Sequence, residues 1–282
     1  MCKLTVHDRG RVASVEQRVG QHGTALRAAS HPDAINIRHP YHVIYDFLSS
    51  SAAWLRFAAQ VVPSASMPPT PYYPPGLELE GYHDPVISRE TINLVFFSVA
   101  AVVILAAWSF AAKLPTPERT MAVWLVVSGL IHLIVEGTFI LNPKFYQNSD
   151  DRMLLLEMWK EYSHADSRYA LGDGFTTTME AVTAFGVGPA CLVAAHALYH
   201  KIAWRWVLVI VLSTMQIYGT ILYFAIFVFD GGIYLVPSAL NLWLYFVGMN
   251  SIWLVMPGWC ICYAVRACLA ATAAMEADKK RQ

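Results

Sequence analysis

Charge is the scarcest property of this chain. Only 14% of its residues are Asp, Glu, Lys or Arg, where a soluble domain carries roughly a quarter. The 20 basic and 20 acidic residues balance. No dense basic block occurs, so no nucleic-acid partner is expected. Cysteine is sparse too. Cys2, Cys191, Cys260, Cys262 and Cys268 show neither paired metal-site spacing nor a disulfide framework, and four of them lie in apolar runs where they read as small hydrophobes. No long apolar core precedes a small-residue cleavage site, so no secretory signal peptide is expected. His196 and His200 form HALYH, a spacing used for metal ligands on one helix face, but such enzymes need several clusters. Outside residues 1–66 only His83, His132 and His164 remain. A solvated helix end is the expectation for that pair, with no metal and no cofactor.

What is abundant is apolar material: 56% of residues are hydrophobic and 13% aromatic. Five apolar segments, 92–112, 121–141, 175–198, 204–229 and 240 to about 269, each have the roughly twenty residues that a hydrocarbon layer of about 30 Å requires. The expected fold is all-α, a polytopic membrane protein built as a bundle of five transmembrane helices. Residues 1–66 carry Arg9, Arg11, Arg18, Arg27, Arg38 and half of the histidines. They are expected to form a poorly ordered extension, and a second reading starts the natural chain at Met67. Residues 67–90 form a lead segment, extended through Pro68 to Pro75. Residues 91–270 form the membrane domain and 271–282 a basic tail. Basic residues near span ends set orientation. Lys113, Arg119, Lys201, Arg205, Arg266, Lys279, Lys280 and Arg281 fall on one side, expected to be cytosolic together with the C-terminus. The long polar connection Asn142 to Asp173 is then lumenal, and Asp173 is a good N-cap for the next helix. The terminal KKRQ resembles the dilysine signal for return to the endoplasmic reticulum, with a basic tail on anionic membrane lipid as the plainer reading.

The stretch Gly129 to Leu141, GLIHLIVEGTFIL, sets a histidine and a glutamate four residues apart in an apolar run. Helical spacing places Ser128, His132 and Glu136 in one polar stripe. An ionisable group within a span costs roughly 3 kcal/mol even on lenient insertion scales, so it faces a cavity, a partner or a substrate. Counted from the lumenal ends at about 1.5 Å per residue, Glu136 and Glu180 each lie roughly 7 to 8 Å inside and can meet. His132, Thr183 and Asn250 fall about one turn deeper, and Trp253 with Gln216 about one turn deeper again. Thr176, Glu180 and Thr183 share one helix face, as Asn250 and Trp253 do. The plainer reading makes the glutamates interhelical glue and Asn250, Thr183 and Gln216 packing residues. Two acids beside a histidine at one depth favour function. Desolvation and like-charge repulsion set such groups in different protonation states. One can give a proton to an apolar substrate and another can take one back, while an indole face and an ionised carboxylate stabilise the cation between the steps. This is equipment for moving a carbon-carbon double bond through a carbocation without a redox cofactor.

GLIHLIVEGTFIL, MWKEYSHADSRYALGDGFTTTMEAVTA, QIYGTILYF and LYFVGMNSIWLVMPG, in order between about Pro71 and Arg266, closely resemble the emopamil-binding protein family, the sterol Δ8 to Δ7 isomerases with the EXPERA membrane domain. The resemblance implies a five-span, often homodimeric protein of the endoplasmic reticulum membrane that shifts the ring B double bond of a sterol precursor from position 8 to position 7. It implies too that amine drugs bind as mimics of the cation. It puts His132, Glu136, Glu180, Thr183, Asn250 and Trp253 on the family's functional positions, and Tyr169 and Asp173 on its signature loop. The expected mechanism is protonation at C9 by the His132 and Glu136 pair, a cation at C8 held by the carboxylates and Trp253, and removal of the C7 proton by Glu180. Asn250 and Thr183 are expected to orient the carboxylates, with Tyr169 and Gln216 completing the substrate-contacting set. Thr138 stands where the family usually carries an aromatic residue, which is expected to reshape the pocket. Two alternatives follow: the same acid chemistry on a terpenoid intermediate, and a non-catalytic lipid-binding or trafficking protein resembling the sigma-two receptor. Retention of His132, both acids, Asn250 and Trp253 argues for catalysis.

Overall fold

The computed structural model describes residues 71–282, and the expectations for residues 1–66 lie outside that range. Among the described residues the regular structure is helical throughout. Taken through their π and 3-10 turns, the helices are α1 (Arg89–Lys113), α2 (Thr116–Leu141), α3 (Leu154–Tyr162), α4 (Arg168–Leu171), α5 (Gly174–Tyr199), α6 (Arg205–Phe229) and α7 (Leu240–Lys279). All but α3 and α4 are long and apolar enough to cross a membrane, which is the five-helix bundle expected from hydropathy. The long connection after α2 is not a loop: α3 and α4 build a cap over one end of the bundle.

Local chemistry sets the helix ends. Ser88 accepts from the Thr91 amide at the start of α1, and Asp173 accepts from the Thr176 amide at 2.8 Å, so the expected N-cap forms. Pro117 sits in the first turn of α2, where its missing N–H costs nothing. At the other end α7 runs ten residues past the expected 269. The alanine-rich CLAATAAMEADK contains no glycine or proline to stop it. Pro71 to Pro75, expected to be extended, instead runs in bends and a turn that bury Tyr72 against the cap.

Three spans leave α-helical geometry near the cap. Ile131–Glu136 in α2, Thr183–Val187 in α5 and Leu240–Gly248 in α7 are π-helical, and Gly137, Gly188 and Gly248 close the three stretches. π turns cluster at functional sites, and they free carbonyls that need partners. Trp159 of the cap supplies one, its indole N–H donating to the Val135 carbonyl at 3.0 Å. Below these turns α2 and α5 nearly touch. A Cβ on Gly188 would lie 3.0 Å from His132 Cβ and 3.2 Å from the Gly129 carbonyl oxygen. Glycine on both helices permits this approach, as small residues do between membrane helices.

Among the described residues the bundle has two large cores and a small third one of Ala111, Leu114 and Ala122. Met121, Trp124, Leu125, Cys191, Leu198 and Val209 fill the end away from the cap, while Phe139, Phe145, Trp159, Tyr169, Phe227 and Phe246 join cap to bundle. Ion pairs lock the cap. Lys160 and Glu157 meet at 2.8 Å with both side chains wholly buried, and Arg168 meets Asp166 at 2.6 Å. Burying such charges is favourable only when their remaining hydrogen bonds are made. Here Glu157 also accepts from the Val86 amide and Asn148, and Asp166 from the Tyr223 hydroxyl. The segment before α1 is thereby tied to the cap.

Candidate active site

Between the cap and the bundle lies one cavity, walled by all five spans and dominated by apolar and aromatic side chains. The π turns of α2 and α5 deliver its polar pole. His132 Nδ1 and Glu136 Oε1 are 2.6 Å apart, the expected i, i+4 pair. Across the α2–α5 seam the Thr183 hydroxyl lies 2.5 Å from Glu136 Oε2 and 3.0 Å from the Glu180 carbonyl oxygen. Glu180 is buried, and its carboxyl is a direct electrostatic neighbour of Glu136. The two acids, placed at one depth by residue counting, line the same cavity, and the Thr183 hydroxyl lies between the Glu136 carboxylate and the Glu180 carbonyl.

Each acid has its own donor from a different direction. The Tyr169 hydroxyl of α4 donates to Glu180 Oε1 at 2.5 Å. Burial, and then the neighbouring Glu180 charge, hold this hydroxyl well above the usual tyrosine range, so it keeps its proton and remains a donor. The face of Tyr169 stacks on Trp159 at 4.9 Å, which fixes its position. On the far side of His132, the Trp253 indole N–H donates to Nε2 at 3.3 Å, and Gln216, anchored on Ser128 at 2.6 Å, reaches the same nitrogen at 3.3 Å. An indole N–H can only donate. Nε2 is therefore the lone-pair nitrogen, and Nδ1 carries the hydrogen that points at Glu136.

Asn250 departs from its expected role. It does not orient a carboxylate: its amide donates to the Tyr162 hydroxyl at 2.8 Å and to the Phe246 carbonyl of its own helix at 2.7 Å. Trp253, expected a turn deeper than His132, is in contact with it. Backbone geometry contributes to both shifts. The π stretch Leu240–Gly248 has wider turns and rises less per residue than the α-helix assumed in the count, so everything after Gly248 lies nearer the cap. Thr138 is the other correction. Its hydroxyl bonds back to the Ile134 carbonyl at 2.6 Å and it is not part of the cavity wall, so it does not reshape the pocket. His196 and His200 sit at the end of α5 away from the cap, rings 4.3 Å apart. Among the described residues no group of three His, Cys, Asp or Glu is placed to hold a metal ion.

Among the polar cavity residues that sequence reasoning missed are Asn93 on α1, Tyr162 and Glu161 on α3, Thr220 and Tyr223 on α6, and Tyr245 on α7. Asn93 carried a signal, a lone amide among Ile92, Leu94, Val95 and Phe96. Tyr162 and Tyr245 are two of 14 tyrosines, and nothing local distinguishes them.

Fold and site together define a multi-pass membrane protein whose largely apolar cavity brings two carboxyl groups and an imidazole to one wall. Residues 154–264 match the profile of EBP, EXPERA (EXPanded EBP superfamily). That stretch contains Tyr169, Glu180, Thr183, Gln216, Asn250 and Trp253, while His132 and Glu136 precede it. Similarity to individual proteins extends further. The 3-beta-hydroxysteroid-Delta(8),Delta(7)-isomerase of Rattus norvegicus is 38% identical over 200 residues, covering 68% of this chain and 85% of the rat protein. A probable enzyme of the same name from Oryza sativa subsp. japonica is 34% identical over 193 residues, 67% of this chain and 87% of the rice protein. An isomeliandiol synthase of Melia azedarach is 34% identical over 140 residues, half of this chain and 65% of that enzyme. The chain belongs to the emopamil-binding protein, or EXPERA, family.

Proposed function

We propose that this protein is a sterol isomerase that moves the ring B double bond of a 3-beta-hydroxysterol from position 8 to position 7. The observation that carries the reading is the junction of His132, Glu136, Thr183 and Glu180 across the α2–α5 seam, inside an apolar cavity. The rat and rice relatives, named for this reaction, support the choice of substrate.

In the proposed cycle a protonated Glu136 gives its proton to C9. The C8=C9 π electrons form the new C9–H bond and leave a cation at C8. The Nδ1–H of neutral His132 then stabilises the carboxylate left on Glu136. Thr183 serves both states. Its single hydroxyl hydrogen points to the ionised carboxylate, or turns to the Glu180 carbonyl and accepts from the protonated one. Glu180, supported by the Tyr169 hydroxyl, takes the C7 proton, and the C7–H electrons become the C7=C8 bond. Return of that proton to Glu136 resets the pair. Trp253 holds the imidazole tautomer through its N–H, and its ring borders the cavity where the cation forms.

The same carboxyl pair would hold a protonated amine in place of the cation, which makes apolar amines the expected inhibitors. The excess of Lys and Arg at the span ends on one side of the bundle supports a cytosolic face there, the side on which α7 ends, and the family resemblance supports the endoplasmic reticulum membrane and a homodimer. A second reading, the same chemistry on a triterpenoid, is favoured by the relatives named isomeliandiol synthase and protoglabretal synthase. Expression in sterol-isomerase-deficient cells, with sterols resolved by gas chromatography and mass spectrometry, separates the two. Conversion of Δ8 to Δ7 sterols supports the first. Well-expressed protein that leaves Δ8 sterols untouched rejects it in favour of the second.

A further inference from the structure

The cavity has a second polar pole that the acid chemistry does not use. Asn93 of α1 donates from Nδ2 to the Tyr245 hydroxyl of α7 at 2.8 Å, and both side chains line the cavity. Because this hydroxyl accepts from Asn93, its own hydrogen is free to donate, while Asn93 Oδ1 is free to accept. Among the described residues neither atom makes a further hydrogen bond. Ile92, Phe96 and Met249 line the cavity with them, as does Glu161, whose carboxylate is paired with Arg89, so Asn93 and Tyr245 offer one donor and one acceptor in a largely apolar wall. That arrangement suits a single hydroxyl on an apolar ligand, because a few placed polar groups fix orientation in such pockets.

A row of aromatic rings links the two poles. Tyr245 lies 6.5 Å from Tyr162, and Tyr162 lies 5.3 Å from Tyr169, whose hydroxyl holds Glu180. A rigid four-ring ligand laid along this row would bring an interior double bond to the acids and a hydroxyl at the end of ring A to Asn93 and Tyr245. We propose that Asn93 and Tyr245 form a hydroxyl-anchoring subsite that binds the 3-beta-hydroxyl of the substrate and so sets which carbons meet Glu136 and Glu180. This rests on the sterol reading above. A site built to hydrogen-bond a hydroxyl discriminates strongly against a ligand lacking it, whose binding leaves those polar groups unpaired.

The test pairs two variants with two substrates. Asn93→Leu suits an apolar span and Tyr245→Phe keeps the ring. Each is assayed with a 3-beta-hydroxy Δ8 sterol and with its 3-deoxy analogue. The wild type is expected to favour the hydroxylated sterol. Each variant should lose roughly three- to tenfold in kcat/KM on it, the scale of one hydrogen bond, with little change on the deoxy analogue. A variant that slows both substrates equally, or neither, overturns the subsite and leaves the pair as helix packing. If the wild type forms no Δ7 product, the sterol isomerase reading has failed, and equilibrium binding of the same two sterols to the purified protein decides the anchor. A preference for the hydroxylated sterol that disappears in both variants upholds it; the absence of any preference, or one that survives in the variants, rejects it.

Discussion

Helix α1 and the α2–α5 pair look alike as strings of apolar residues, yet they occupy opposite extremes of the fold. Only 6% of the most apolar window of α1 is buried, against 44% for α2 and for α5. α1 is the more apolar helix and the more exposed one, because in a membrane apolar side chains have no reason to turn inward. What draws α2 and α5 together is the small and polar residues that interrupt them. Gly129 and Gly188 let the backbones approach, and Ser128, His132, Glu136, Glu180 and Thr183 then satisfy one another or their neighbours across the bundle. In this chain hydropathy locates the spans, and departures from hydropathy locate the site.

The largest break in that contrast should come from the acids. Glu136→Gln and Glu180→Gln keep shape and remove the exchangeable proton, and each should cut turnover by about a hundredfold to ten-thousandfold, the range for a lost acid or base. Size-exclusion chromatography in detergent should show both variants eluting as the wild type does. Smaller, and aimed at the seam itself, is Gly188→Val. Its added carbons meet His132 Cβ and the Gly129 carbonyl, so the helices must part or distort at a cost of roughly 1 to 3 kcal/mol. A lower thermal midpoint and reduced turnover should appear together, because the same seam holds the packing and the site. The smallest effect belongs to α1. Leu105 is 65% exposed, and Leu105→Ala should change stability by less than about 0.5 kcal/mol with unaltered turnover; a large loss there would erase the distinction between the helices.

Much of this was legible in the sequence because it follows from local spacing. The five spans, the Asp173 cap, and the arrival of Glu136 and Glu180 in one cavity need only residue counts and helical geometry. What was not legible depends on backbone departures and distant partners. The π stretch before Met249 moves Asn250 onto Tyr162, 88 residues away in sequence, and Trp253 onto His132, 121 residues away. No periodicity in LNLWLYFVG announces it. The cap was read as a polar connection because the buried partners of Glu157, Lys160, Asp166 and Arg168 are fixed only once the chain has folded, and charged residues ordinarily read as solvated. Thr138 was misjudged for a related reason: a hydroxyl that bonds back to its own helix needs no cavity to face.

The central claim is that the cavity carboxyls put one proton on the substrate and remove another. Single-turnover conversion tests it most directly, with purified protein in excess over a Δ8 sterol after equilibration in deuterated buffer and the product examined by NMR and mass spectrometry. The account predicts a Δ7 product with one deuteron, at C9, and a hydrogen lost from C7. A Δ7 product with no deuterium at C9 would contradict it, since the double bond would then have moved without a proton from the exchangeable groups of the site.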